Sequence, residues 1–186
     1  MQKNWVKIGI FLGLLIVCIG IFTFVQKRPE IEISSFNPER DKAFLLNSFK
    51  KDYYWLVENP DFSVDFMLQH TSPNKDPQYF GKLNIKVLLK NDKPIGFMTY
   101  FLKKFYEGKI QFIYVDSDHR GKGYAGMLTN YAINDLFNKG ATIVKLDTRT
   151  SNAPAIKVYE RLGFKKTTTD EIRGIVSFEL RKPDFK

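Results

Sequence analysis

Residues 8–25 form an apolar run of about 18 residues without a charge, near the lower limit for crossing a bilayer. Beyond Pro29 the pattern breaks into short segments of strand and helix period. A strand is predicted over 30–36. Asn37 then caps a helix with Pro38 just inside it; this helix buries Phe44, Leu45 and Phe49 and extends toward Trp55. A shorter helix is expected over 63–69, and 71–78 is a polar loop with Pro73, Asn74, Asp76 and Pro77. Strands follow over 83–89 and 94–102 about an Asn91-Asp92 turn, then over 109–115 after a turn at Glu107-Gly108. A long helix runs from Gly121 to Asn138 and stops at Lys139-Gly140. A strand over 142–147, a helix over 154–162 stopped by Gly163, and strands over 164–169 and 175–180 complete the chain. Antiparallel hairpins, a strand–helix–strand crossover and a last hairpin predict a mixed α/β sheet flanked by helices.

The apolar run has Lys3, Trp5 and Lys7 on one flank and Lys27, Arg28 and Pro29 on the other, as expected at membrane interfaces. A cleaved signal peptide would be shorter and end in a small-x-small site. Here the run continues through Ile19, Gly20, Ile21 and Phe22, and Val17 makes a poor lipoprotein box before Cys18. The expectation is an uncleaved single-pass membrane anchor over 1–28 and one folded domain over 29–186.

Charge and composition narrow the classes further. The formal net charge is +9, and residues 1–28 hold four basic residues and no acid, which leaves +5 for the domain. That excess suits an anionic ligand and an acidic membrane surface. It is too small and scattered for a nucleic-acid partner. Cys18 is the only cysteine and lies in the apolar run, so the domain has neither a disulfide nor a thiol nucleophile. His70 and His119 have no metal-ligand spacing, and no metal is expected.

The most informative stretch is Val115-Asp116-Ser117-Asp118-His119-Arg120-Gly121-Lys122-Gly123-Tyr124-Ala125. An apolar strand ends in a glycine-rich basic turn that opens into a helix. The first N–H groups of a helix lack intrahelical partners, and the helix dipole makes them an anion site. Gly121, Gly123 and Gly126 also fit a G-x-G-x-x-G dinucleotide fingerprint, with Asp147 ending the next strand. Against that, residues 116–120 separate strand from glycine, and the unit sits far along the chain. A Walker A loop is excluded, because no glycine stands at the required spacing.

A second block favours a different phosphorylated ligand. Between Leu146 and Phe164 the chain reads L-D-T-R-T-S-N-A-P-A-I-K-V-Y-E-R-L-G-F. The two blocks together resemble the GNAT superfamily of acyl-CoA N-acyltransferases. Arg120, Gly123 and Ala125 match its Arg/Gln-x-x-Gly-x-Gly/Ala motif. Asn152, Ala155, Tyr159, Gly163 and Phe164 match Asn-x-x-Ala-x-x-x-Tyr-x-x-x-Gly-Phe.

The resemblance implies a central mixed sheet, mostly antiparallel, with one parallel pair splayed apart to hold acetyl-CoA. The pyrophosphate would lie on Arg120, Gly121, Lys122, Gly123, Tyr124 and Ala125. The main chain of Ile113, Tyr114 and Val115 would pair with the pantetheine amides, and Asn152 would hydrogen-bond the same arm. Tyr159 would protonate the leaving thiolate. By its residues alone, Tyr159 also reads as a core aromatic and Asn152 as a plain helix cap.

The segment L-D-T-R-T-S-N further resembles L-E-V-R-x-S-N of the superfamily's ribosomal-protein N-terminal acetyltransferases, in which the acid serves as base. Asp147 holds that position. A strand-end cap for Asp147, and a water relayed by Gln111 or a main-chain carbonyl as base, are the other readings. Tyr53, Tyr54, Trp55, Phe62, Phe66 and Tyr79 are expected mostly in the core, with an apolar acceptor slot as the alternative.

The expected function is acetyl transfer from acetyl-CoA to an amine acceptor, peptide or small molecule, by direct attack in a ternary complex. A non-catalytic acyl-CoA-binding module and a nicotinamide-dependent oxidoreductase are the rival classes. Acetyl-CoA supply places the expected catalytic domain on the cytoplasmic side of the membrane.

Overall fold

The computed structural model describes residues 30–57, 62–69, 83–104 and 106–184. The predicted anchor, the polar loop at 71–78 and Tyr79 lie outside them. Among the described residues, no helix is long and apolar enough to cross a membrane.

Seven strands form one sheet in the order β1-β2-β3-β4-β5-β7-β6. They are β1 (Ile31–Ser35), β2 (Asn84–Lys90), β3 (Lys93–Lys104), β4 (Glu107–Val115), β5 (Ile143–Arg149), β6 (Lys165–Asp170) and β7 (Ile175–Arg181). Only β4 and β5 run parallel; every other pair is antiparallel. The helices are α1 (Pro38–Lys51), α2 (Tyr53–Leu56), α3 (Val64–Gln69), α4 (Tyr124–Asn138) and α5 (Ala153–Arg161). This is the mixed sheet that the chain's order predicts, mostly antiparallel with one parallel pair as the family resemblance implies.

The two faces of the sheet carry separate cores. On one, Leu128, Ile133 and Leu136 of α4 pack against Val144, Leu146 and Phe178. On the other, Leu45 and Phe49 of α1 meet Val87, Phe97, Phe112 and Tyr114. Leu136 is fully buried, and trimming such a leucine to alanine costs about 2–5 kcal/mol. Phe49 anchors the second core, edge-on to Phe112 at 5.1 Å.

Local signals account for most helix ends. The Asn37 side chain accepts hydrogen bonds from Glu39 N (2.9 Å) and Arg40 N (3.3 Å), and Asn37 N–H donates to Oδ2 of buried Asp41 (2.8 Å). The helix predicted to run toward Trp55 instead breaks at Asp52, whose backbone is non-helical (φ −118°, ψ 32°). There the Asp52 carboxylate meets Arg120 (2.9 Å). Glu107 and Gly108, expected in a turn, open β4 instead. They pair with Ile143 and Val144 of β5, a partner no local pattern reveals.

One irregularity in β4 creates the space for a site. Thr99 faces Phe112 and Tyr100 faces Ile110, so Gln111 is an extra residue, a β-bulge. Ile110 consequently points to the α4 face and Phe112 to the α1 face, although period-2 alternation would put both on one side. Pairing with β5 stops just before the bulge, at Lys109↔Lys145. Beyond it, the rest of β4 leaves β5 and the sheet opens.

Candidate acyl-donor and acceptor cleft

A cavity of about 300 Å³ fills the opening between β4 and β5. Its walls come from both strands, from α5 and from the end of α2. The cavity therefore passes through the plane of the sheet. Ala155, Val158 and Tyr159 line it from α5, and Trp55, Leu56 and Val57 from the opposite face.

The turn after β4 is built from backbone. Residues 117–119 form one 3-10 turn, which the sequence pattern does not signal, and α4 begins at Tyr124. Gly121 (φ 75°) and Gly123 (φ 82°) both take left-handed backbone conformations. A Cβ at either position would meet nothing within 4 Å, so conformation and not crowding demands glycine there. Met127 N–H is the first in the helix to find a main-chain acceptor, Gly123 O at 3.1 Å. Among the described residues, the N–H groups of residues 121–126 have no acceptor. Six free donors at a helix start make a cradle for an anion. Lys122 adds an ammonium beside it, currently donating to Asp118 O (3.1 Å).

Arg120 is engaged elsewhere. Its Nε donates to Val115 O (2.9 Å), and its guanidinium pairs with Asp52. Lys51 bonds Asp116 Oδ1 (3.2 Å) and Ser117 Oγ (2.9 Å). Both contacts tie the turn to the α1–α2 junction, so Arg120 acts here as a brace of the cradle. Ile113 and Tyr114 lie on the stretch of β4 that has left β5, and Ile113 lines the cavity. The Val115 carbonyl is taken by Arg120.

Asn152 caps α5, with Oδ1 accepting from Ala155 N (3.4 Å). Its Nδ2 donates to Thr148 Oγ1 (3.2 Å), and the residue also lines the cavity, so the cap and wall positions coincide. Tyr159 packs edge-on against Phe164 (6.0 Å) and Phe178 (5.9 Å). Burial pushes its hydroxyl far above the ordinary tyrosine value, so it stays protonated. It is at once a core aromatic and part of the cavity wall.

Asp147 sits on β5 on the face opposite buried Leu146, as alternation requires. It forms an ion pair with Lys109 of β4, and both line the cavity. Burial alone pushes the Asp147 carboxyl up. The Lys109 ammonium and the Ser177 hydroxyl outweigh that and hold it below the ordinary carboxylate value. Gln111 Oε1, at the bulge, is buried without a hydrogen-bond donor among the described residues. Sequence reasoning passes over Lys109, because its partner stands 38 residues away.

Arg149 stands in the L-D-T-R-T-S-N segment, but its partners become neighbours only in the fold. It donates to Tyr54 O and to Val57 O (3.2 Å), with its guanidinium 3.9 Å from the Tyr54 ring centre. It pins α2 across the cleft. Tyr53, Tyr54 and Trp55, expected mostly in the core, are instead 39 %, 58 % and 45 % exposed, because α2 is a single turn on the rim. Phe62 is half-buried against the α1 core. Among the described residues, no three His, Cys, Asp or Glu side chains gather where a metal ion would sit.

A splayed parallel pair, a backbone anion cradle at its mouth and a slot through the sheet define a site for a long phosphorylated ligand. The residues present fit the phosphate end and the extended arm of coenzyme A. The chain belongs to the Acetyltransferase (GNAT) family, whose profile matches residues 42–164.

The chain is 33 % identical over 105 residues to the [ribosomal protein bS18]-alanine N-acetyltransferase of Salmonella typhimurium, covering 53 % of this chain and 69 % of the relative. It is 27 % identical over 150 residues to the mycothiol acetyltransferase of Actinosynnema mirum, covering 78 % and 48 %. An N-acetyltransferase of Methanocaldococcus jannaschii is 37 % identical over 82 residues, 41 % of this chain and 36 % of that one. The chain thus spans less than half the length of two of these relatives.

The fold is shared with a Salmonella typhimurium acetyltransferase solved with acetyl-CoA (TM-score 0.68, 16 % identity, 82 % of this chain and 94 % of that one). It is also shared with the Escherichia coli ribosomal-protein-S18-alanine N-acetyltransferase (TM-score 0.58, 23 % identity, 81 % and 93 %).

Proposed function

We propose that this protein transfers an acetyl group from acetyl-CoA to an amine by direct attack in a ternary complex. The observation that carries this reading is the cavity through the sheet, with Tyr159 on the α5 side and Asp147 on the α2 side. A nucleophile and a leaving group can then approach one carbonyl carbon from opposite faces.

In this reading the donor supplies an activated acyl group, and the protein's residues hold it and move protons. The N–H groups of residues 121–126 hold the pyrophosphate, and the free edge of β4 pairs with the pantetheine amides. The acceptor's ammonium first gives one proton to solvent; the freed lone pair attacks the thioester carbon, and Asp147 takes the second proton as the new N–C bond forms. The C–S bond breaks, and Tyr159 gives its proton to the departing sulfur. Solvent then restores both groups. The position of Tyr159 on the cavity wall supports that role.

The names of two relatives specify a ribosomal-protein alanine and mycothiol. Only the amine is carried to this chain. The apolar, basic-flanked residues 8–25 support a membrane-anchored form with the domain facing the cytoplasm; protease digestion of intact cells tests it, and a domain cleaved from outside would overturn it.

The test of function is release of CoA thiol and formation of acetylated product when the full chain meets acetyl-CoA and a panel of amines. Product with any amine supports the reading. Binding of CoA with no product across the panel would leave a non-catalytic binding module in its place.

A further inference from the structure

The acceptor end of the cleft holds more charge than proton transfer alone requires. Lys109, at the last paired rung of β4 and β5, reaches Asp147, two residues beyond that rung on β5, and both line the cavity. A half-buried ion pair is weak evidence for stability, since an apolar pair of similar size often serves as well. Neighbouring charges are satisfied among themselves: Lys145 pairs with Glu107 (2.9 Å) and Glu179 (3.9 Å), and Lys103 lies 3.8 Å from Glu107. Gln111 Oε1 adds a buried acceptor with no donor among the described residues, a condition that calls for an explanation. The cleft end therefore presents a carboxylate, a spare carbonyl and an ammonium. Its complement is a group with N–H donors next to an anion. The cavity is at the small end for a ligand site, and the donor's arm must share it.

Building on the acetyl-transfer reading, we propose that the acceptor is a small molecule carrying a carboxylate beside its amine, a free α-amino acid being the simplest. Lys109 takes the carboxylate, and Asp147 and Gln111 take the ammonium. Such an acceptor draws Lys109 away from Asp147, which frees the carboxylate to accept the proton. An amine without the anion leaves Lys109 on Asp147. Lys109 is thus a specificity-determining residue, and the acceptor itself completes the arrangement in which Asp147 works as base.

The experiment gives the full chain acetyl-CoA and single amino acids, each beside its own carboxamide, and measures kcat/KM for acetylated product by mass spectrometry. The carboxamide's amine is the less basic and more often neutral, so intrinsic reactivity favours the amide. The expected result is the reverse, a preference for the acid of about tenfold or more, the worth of one charged hydrogen bond. Lys109→Met should cut that ratio about tenfold, and Lys109→Arg should keep most of it. Equal use of acid and amide by the native protein overturns the proposal while leaving acetyl transfer intact, as does an unchanged ratio in Lys109→Met. A CoA-induced rise in melting temperature with no product from any amine removes acetyl transfer, and this proposal with it.

Discussion

The two ends of the cleft are made in different ways. The phosphate end is backbone: N–H groups of residues 121–126 at a helix start, with two glycines at positive φ. The acceptor end is side chain: Asp147, Lys109, Gln111 and Tyr159, from two strands and a helix. A backbone cradle holds phosphate oxygens through main-chain N–H groups, which substitutions away from its positive-φ glycines leave in place. A side-chain constellation can be retuned residue by residue. One fold can thus keep its donor and change its acceptor, and mutations should separate along that line.

The largest effect is expected at the acceptor end. Tyr159→Phe removes the proton donor and should lower kcat about 10³-fold, with CoA affinity near native. Asp147→Asn should lower kcat by about 10²-fold, again without loss of CoA binding. Pre-steady-state kinetics beside a CoA titration checks both; a native rate in either variant removes that residue from its role.

The phosphate end should respond in the opposite sense. Gly123→Ala forces a Cβ onto φ 82° at a strain of about 1–2 kcal/mol, so the acetyl-CoA Kd should rise about tenfold. The amine KM should stay put. A changed amine KM with native CoA affinity would erase the contrast between the two ends.

Smaller effects test the brace and the ion pair. Asp52→Asn frees Arg120, and this partly exposed pair is worth about 0–1 kcal/mol, a shift of Kd below about fivefold. Asp147 has a folded value below its ordinary 3.8, so its pair with Lys109 stabilises the protein above pH 3.8, and that stability is lost as pH falls through the folded value. The melting-temperature gap between native and Asp147→Asn should therefore be open at neutral pH and close in acid. A gap that widens in acid would contradict the ion pair.

The difference between the ends also governs what the sequence makes legible. The cradle lies in one unbroken stretch, so its glycine-rich basic turn marks an anion site, and the family resemblance adds Arg120 and Ala125. Helix α4 ends where Lys139-Gly140 predicts, and α5 starts at the Asn152 cap. The acceptor end is assembled across distance. The bulge at Gln111 exists only in the register of β3 against β4, and Lys109 finds Asp147 only once β4 and β5 are neighbours. Arg149 stands in a recognisable motif, yet its grip on Tyr54 and Val57 depends on where α2 docks. The helix break at Asp52 has no glycine or proline to mark it, and its carboxylate meets Arg120 from 68 residues away.

The central claim is that the opening between β4 and β5 is an acyl-CoA site. Calorimetric titration of the full chain with acetyl-CoA, and separately with NAD, tests it most directly. The account predicts saturable binding of one acetyl-CoA per chain, weakened in Gly123→Ala, and no heat from NAD beyond dilution. Saturable NAD binding with none for acetyl-CoA would contradict it.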